Sequence, residues 1–96
     1  MRIEGYLPPD EFHAKLLAAL ARVAFMQKHW DDAERIYRQI VERFPNTLTA
    51  AEALYWAGVS HYKGTNDHTG LPQLAADLQT RYPNSQWTKS ASVWAS

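Results

Sequence analysis

One stretch of this chain is written twice. Ala33-Glu34-Arg35-Ile36 through Arg43-Phe44-Pro45 aligns without gaps on Leu71-Pro72-Gln73-Leu74 through Arg81-Tyr82-Pro83, and the two prolines stand 38 residues apart. Ile36 falls on Leu74, Ile40 on Leu78, Phe44 on Tyr82 and Arg43 on Arg81. The match continues past each proline: Pro45-Asn46-Thr47 falls on Pro83-Asn84-Ser85, then Ala53, Trp56 and Ala57 on Ala91, Trp94 and Ala95. A fixed period of this length is the signature of a stacked-repeat architecture, in which each unit buries its apolar face only against its neighbours. It predicts two helical hairpins and a last segment, 86–96, that copies the start of the third helix.

Four stretches have the apolar period of an amphipathic helix. The first opens after Pro8-Pro9, with Asp10 and Glu11 at the positive end of the helix dipole. It sets Phe12, Leu16, Leu20, Val23 and Ala24 on one face, with Leu20 in the hairpin core, and fades near Lys28. The second begins at Asp31, which has capping-box spacing to Glu34. Its apolar set is Ala33, Ile36, Tyr37, Ile40, Val41 and Phe44, and Pro45 stops it. The third runs from about Thr49 to Lys63, aligning Ala50, Leu54, Ala57, Gly58 and His61, and Gly64 closes it. The fourth carries Leu71, Leu74, Ala75, Leu78 and Tyr82. Only Arg2 to Tyr6 alternates enough to suggest a strand. The chain thus divides into a leader (1–9), two hairpins (10–45 and 46–83) and a C-terminal capping helix (84–96). Val93 and Trp94 are expected to pack on the fourth helix.

Composition removes several classes of function. With 96 residues there is one modest core, and 46% hydrophobic content argues for a folded domain. Ten Lys and Arg balance ten Asp and Glu, seven against seven up to Thr47, so no electrostatic footprint for nucleic acid or an anionic membrane exists. The longest apolar run, Leu16 to Ala21, is far short of the roughly 20 residues of a membrane span, and the opening residues lack a signal-peptide pattern. The absence of cysteine excludes disulfides and thiol chemistry and leaves the compartment open, with the cytoplasm as the default expectation.

No catalytic constellation emerges, and the chain is read as a non-enzyme without cofactor or metal. None of the four histidines has a His, Asp or Glu four residues away on the same helix. His29 beside Asp31 and Asp32 is better explained as a helix start, and His61, Asp67 and His68 flank a turn. Gly58-Val59-Ser60-His61-Tyr62 fails as a nucleophile elbow because Tyr62 replaces the second glycine and Ser60 lies mid-helix. The pairs Asp31–Arg35 and Glu34–Arg38 mark a solvated helix face, each worth about 0.2–0.5 kcal/mol.

The repeated pattern resembles the tetratricopeptide repeat. The residues that carry the likeness are Leu17, Leu20, Ala21, Trp30, Ala33, Tyr37, Ile40 and Pro45 in the first hairpin, and Leu54, Ala57, Gly58, Leu74, Leu78 and Pro83 in the second. Small residues (Ala21, Ala33, Gly58) stand where paired helices approach closely. Two features depart from the pattern: the period of 38 exceeds the usual 34, as in long-linker repeats of bacterial envelope and accessory proteins, and Leu71 replaces a small residue, implying a looser second hairpin. The likeness implies an all-α fold, a short right-handed solenoid of two antiparallel hairpins plus a C-terminal helix. It also implies that the first helix of each hairpin lines a concave groove, here carrying Arg22, Phe25, Tyr55, Val59, Tyr62 and Lys63. The function implied is protein or peptide binding. The alternatives are a structural or self-association module, packing on its parent chain or a second copy, and an accessory domain of a thioredoxin-like oxidoreductase. The last rests on Arg2 to Phe12, which looks like the end of a thioredoxin fold.

Overall fold

A computed structural model describes residues 9–92. Five helices follow one another along the described residues: α1 (Pro9–Met26), α2 (Trp30–Arg43), α3 (Leu48–Thr65), α4 (Leu71–Arg81) and α5 (Gln86–Ala91), with a 3₁₀ turn, His68–Gly70, leading into α4. The described residues form no strand. The expected strand at Arg2–Tyr6 and the packing of Val93 and Trp94 lie outside the described residues. The architecture is an all-α solenoid of two hairpins, α1–α2 and α3–α4, closed by α5. The α2–α3 contact is the most extensive, and α3–α4 is slighter than α1–α2.

The repeat is visible at atomic scale in its two proline turns. Phe44 and Tyr82 end their helices with nearly the same backbone, φ −131°, ψ 53° against φ −137°, ψ 59°. Each donates its N–H to the carbonyl four residues back, Ile40 or Leu78, at 2.8 Å. Thr47 and Ser85 then cap the following helices: the Thr47 hydroxyl accepts from Ala50 N and the Ser85 hydroxyl from Trp87 N. Such caps satisfy N–H groups that a helix start leaves without a partner. Tyr82 adds a link between the turns, its hydroxyl donating to the Pro45 carbonyl at 2.8 Å.

Ile40 and Leu78, the matched residues of the second helices, are fully buried, with Ala14, Ala21, Ala33, Ala53, Ala57 and Ala91 around them. Alanine at so many contacts lets helix axes approach closely, where dispersion is strongest. Gly58 takes this to its limit, since a Cβ there would lie 2.3 Å from Leu74 Cδ2.

Four local expectations are corrected. The face of α1 bearing Phe12, Leu16, Leu20 and Val23 points outward, each 51–59% exposed; only Ala24 of that set is buried. Ala14 and Ala21, with partly buried Leu17, Ala18 and Phe25, make the inner face instead. Turning the helix this way brings Glu11 inside, where its carboxylate accepts from Leu48 N at 2.7 Å, Thr49 N at 3.1 Å and the Thr49 hydroxyl at 2.5 Å. The Asp31–Glu34 capping box does not form: α2 starts at Trp30 without a side-chain cap. Glu34 is drawn away by Arg38 Nε (2.8 Å) and His61 Nδ1 (3.2 Å). Arg35 pairs with Asp32 at 3.1 Å rather than with Asp31. Gly64 does not close α3, which runs on to Thr65 and is capped by Asn66 in the left-handed region at φ 58°. Gly64 serves the approach of Trp30, whose Cβ would stand 2.9 Å from an added Cβ.

Candidate interaction groove

The first helices of the two hairpins and α5 converge on a hollow of about 380 Å³. From α1 come Arg22, Phe25 and Met26; α3 supplies Glu52 and Trp56; α5 supplies Trp87, and Tyr37 of α2 forms the floor. The positions follow from helical spacing. Arg22, Phe25 and Met26 are three and four apart on α1, as Glu52 and Trp56 are on α3, so each helix turns one strip of side chains to the same side.

Aromatic rings run along this surface. Phe25 meets Trp30 and Trp56 edge-on, with centroids 4.9 and 5.3 Å apart. Trp56 meets Tyr55 at 5.2 Å and Trp87 at 6.0 Å, and Tyr55 meets Trp87 at 5.0 Å. Tilted and edge-to-face arrangements of this kind are the favoured ones for quadrupolar rings. The interlocked rings hold one another's rotamers, so the hollow is preorganised. Burial pushes the Tyr37 hydroxyl above its ordinary value, Glu52 adds to the rise, and Arg22 works against it. Tyr37 therefore stays a neutral phenol. The charged chemistry of the hollow is that single Arg22 and Glu52, with apolar rings for the rest.

Of the six residues expected on the groove, Arg22 and Phe25 line the hollow. Tyr55 is half-buried at its edge through the Trp56 and Trp87 contacts. Val59 and Tyr62 are half-buried and Lys63 exposed towards the far end of α3, outside the hollow. The Lys63 ammonium stands 5.7 Å from the Trp30 ring, a cation–π contact. Sequence reasoning missed Met26, Tyr37, Glu52, Trp56 and Trp87. A signal for Trp56 was present in its match to Trp94, and Trp87 carried none. A second hollow of about 500 Å³ opens on the other side of Trp87, between Thr47, Leu48 and Ala51 and the Tyr82–Gln86 turn.

Two family models described as Tetratricopeptide repeat match the chain, one over residues 14–57 and the other over 52–85. The chain is built of tetratricopeptide repeats. The two matched stretches run together from the middle of α1 through the second proline turn, covering both hairpins in the order in which the helices stack. Tetratricopeptide repeats generally mediate protein–protein interaction, so this chain is a helical-repeat scaffold of a kind that binds proteins or peptides. No helix among the described residues is long and apolar enough to cross a membrane. Nor do the described residues gather three or more His, Asp or Glu side chains able to hold a metal ion. No curated protein and no solved structure matches the chain.

Proposed function

We propose that the aromatic hollow between α1, α3 and α5 receives an extended or helical peptide segment of a partner protein, anchored by one large apolar side chain. The observation that carries this reading is the convergence of Phe25, Trp56 and Trp87 from three separate helices on one open cavity. Preformed aromatic pockets with a few polar groups at the rim are where binding energy concentrates in protein interfaces. Arg22 and Glu52 set direction, taking a carboxylate or carbonyl on one side and a cation or N–H on the other. Tyr55 extends the surface past Trp87; Val59, Tyr62 and Lys63 contribute only to a partner long enough to follow α3. The scaffold acts by holding, and in this reading it performs no chemistry.

The test is selection of peptides from a displayed random library against the full chain, followed by two-dimensional NMR of the indole N–H signals. Binders of the hollow shift the Trp56 and Trp87 signals, and Arg22→Ala together with Glu52→Ala weakens them about ten-fold or more. Selected peptides that leave both indoles unmoved rule the hollow out. In the same reading, residues 2–12 are the end of a thioredoxin-like unit in a bacterial protein. A contiguous upstream sequence containing a Cys-x-x-Cys motif supports that, and one without it overturns it.

A further inference from the structure

Among the described residues, five of the six large hydrophobic residues that stand exposed lie on one helix. Phe12, Leu16, Leu20 and Val23, on the outward side of α1, are 51–59% accessible, and Met26, at the rim of the aromatic hollow, is 72%. Single exposed apolar residues are ordinary, but an unbroken stripe along a whole helix marks an interaction surface.

The molecule contains its own standard for what such a face is for. The repeat pairs Leu17 with Leu54, Leu20 with Ala57 and Ala21 with Gly58. The same register carries Phe12 onto Thr49, Leu16 onto Ala53 and Val23 onto Ser60. Those α3 residues are sealed, Ala53 and Ser60 at 0% and Thr49 at 2% exposure. Gly58 faces Leu74 of α4, and Thr49, Ala53 and Ser60 lie on the opposite side of α3, towards the preceding hairpin, where Thr49 meets Glu11. The stripe on α1 therefore occupies the positions by which a first helix receives the helix before it.

We propose that the outward face of α1 is a second docking surface, and that it takes an amphipathic helix of a partner protein with carboxylates along one edge. Lys15 and Arg22, two turns apart and both exposed, border the stripe on the side of the aromatic hollow, and neither makes an ion pair among the described residues. The other border of α1 carries His13, against the Phe44 ring. A helix laid on the stripe therefore meets two α1 cations along one flank; on the other, Arg43 of α2 is held over the Phe44 ring that His13 touches. The large side chains on α1, where α3 has Ala and Ser, require a contact strip of small residues on the occupant, since two bulky ridges cannot interdigitate at close spacing.

A second copy fits less well. An antiparallel pair of α1 helices about a twofold axis sets Lys15 and Arg22 beside Arg22 and Lys15 of the other copy, like charge on like. Head-to-tail stacking meets a mostly polar face, because among the described residues α4 turns Gln73, Gln79, Thr80 and Arg81 outward beside Pro72 and Ala76.

The probes are two hydrocarbon-stapled helical peptides with the same alanine and leucine stripe, one with Glu and one with Lys two turns apart along an edge. Titrated by fluorescence anisotropy into the full chain, the Glu-edged peptide binds at least ten-fold tighter. Lys15→Glu brings the two affinities together, since the flank then carries one anion and one cation. Leu16→Ser, at an exposed position, abolishes binding while circular dichroism stays unchanged, and Leu20→Ser does the same. Gln79→Ala, on the exposed side of α4, leaves this peptide's affinity unaltered. Equal binding of the two peptides, or no binding of either at 1 mM, overturns the proposal. So does sedimentation equilibrium showing a dimer that Leu16→Ser dissolves, which assigns the face to a second copy.

Discussion

Helices α1 and α3 are the same length, open their hairpins in the same register, and are both rich in alanine and leucine, yet they live in different surroundings. Helix α3 is enclosed: α1 and α2 lie on one side, α4 and α5 on the other. It meets these neighbours with Thr49, Ala53, Ala57 and Ser60 on one flank and with Ala51, Leu54 and Gly58 on the other. Among the described residues, helix α1 has packed neighbours on one side only and carries its largest hydrophobic residues on the side without them. The enclosed helix thus meets its neighbours mostly through small residues, and exposed bulk along one flank of α1 marks a surface left for something else. Side-chain size tells the two apart where hydrophobicity does not.

The largest effect is expected from making α3 resemble α1. Removing residues 87–96 strips Trp87, Thr88 and Ala91 from α3 and α4. The loss of several kcal/mol of burial, against roughly 5–15 for a whole domain, lowers the melting temperature by well over 10 °C in a calorimetric scan. An unchanged melting curve would show that α5 is no cap. Next in size is the exchange of side chains between equivalent positions. Ala57→Leu forces bulk into a fully buried site and destabilises by about 1–3 kcal/mol. Leu20→Ala, its counterpart on α1, stays within about 0.5 kcal/mol in urea unfolding. Similar values for the two would erase the distinction between the helices.

Glu11 joins the two helices, and its replacement comes third. Glu11→Ala leaves the N–H groups of Leu48 and Thr49 without their acceptor and costs about 2 kcal/mol. Burial alone would raise the carboxyl's pKa, but the Thr49 hydroxyl, the two N–H groups and Lys15 outweigh it and hold it below its ordinary value. A depressed folded-state pKa means the stabilisation is complete above the unfolded value and is lost as pH falls through the folded one. Stability of the native chain accordingly declines on the acid side of the carboxylate range, and Glu11→Gln flattens that part of the profile. The same acid limb in both proteins would contradict the assignment. The smallest effect sits in the turn after α1. Lys28 has φ 65°, where glycine is favoured. Lys28→Gly gains about 0.5 kcal/mol, the relieved strain being partly offset by glycine's greater freedom when unfolded. A loss of stability would mean that the lysine side chain supports the turn.

Much of the fold could be read from the residues because proline and its neighbours act locally. Phe44-Pro45-Asn46-Thr47 and Tyr82-Pro83-Asn84-Ser85 carry within four positions everything needed to stop one helix and cap the next. The inner face of α1 was not legible in that way. Periodicity groups Phe12 with Leu16 and Leu20, and equally Ala14 with Ala18 and Ala21, but it does not say which group meets α2. That is decided by how closely the axes approach and by the reach of Glu11 to residues 37 positions on. The capping box failed for a similar reason: Glu34 has competing partners in Arg38 and His61, and His61 belongs to another helix. In the groove, Arg22 and Phe25 were within reach of the repeat pattern. Trp87 was not, because its role depends on α5 folding back onto α3.

The hydroxyl of Tyr82, bonded to the carbonyl of Pro45, gives the array a direction of growth. Phe44 holds the matching position in the first hairpin and has no hydroxyl to offer, so the tie runs only backwards, from a later unit to an earlier one. A duplicated block spanning 46–83, inserted after Pro83, would bring its own tyrosine and its own proline carbonyl and repeat the tie at the same spacing. Each added unit would be pinned to its predecessor by one phenol, and the chain could be lengthened by copying a single stretch of sequence without redesigning either end.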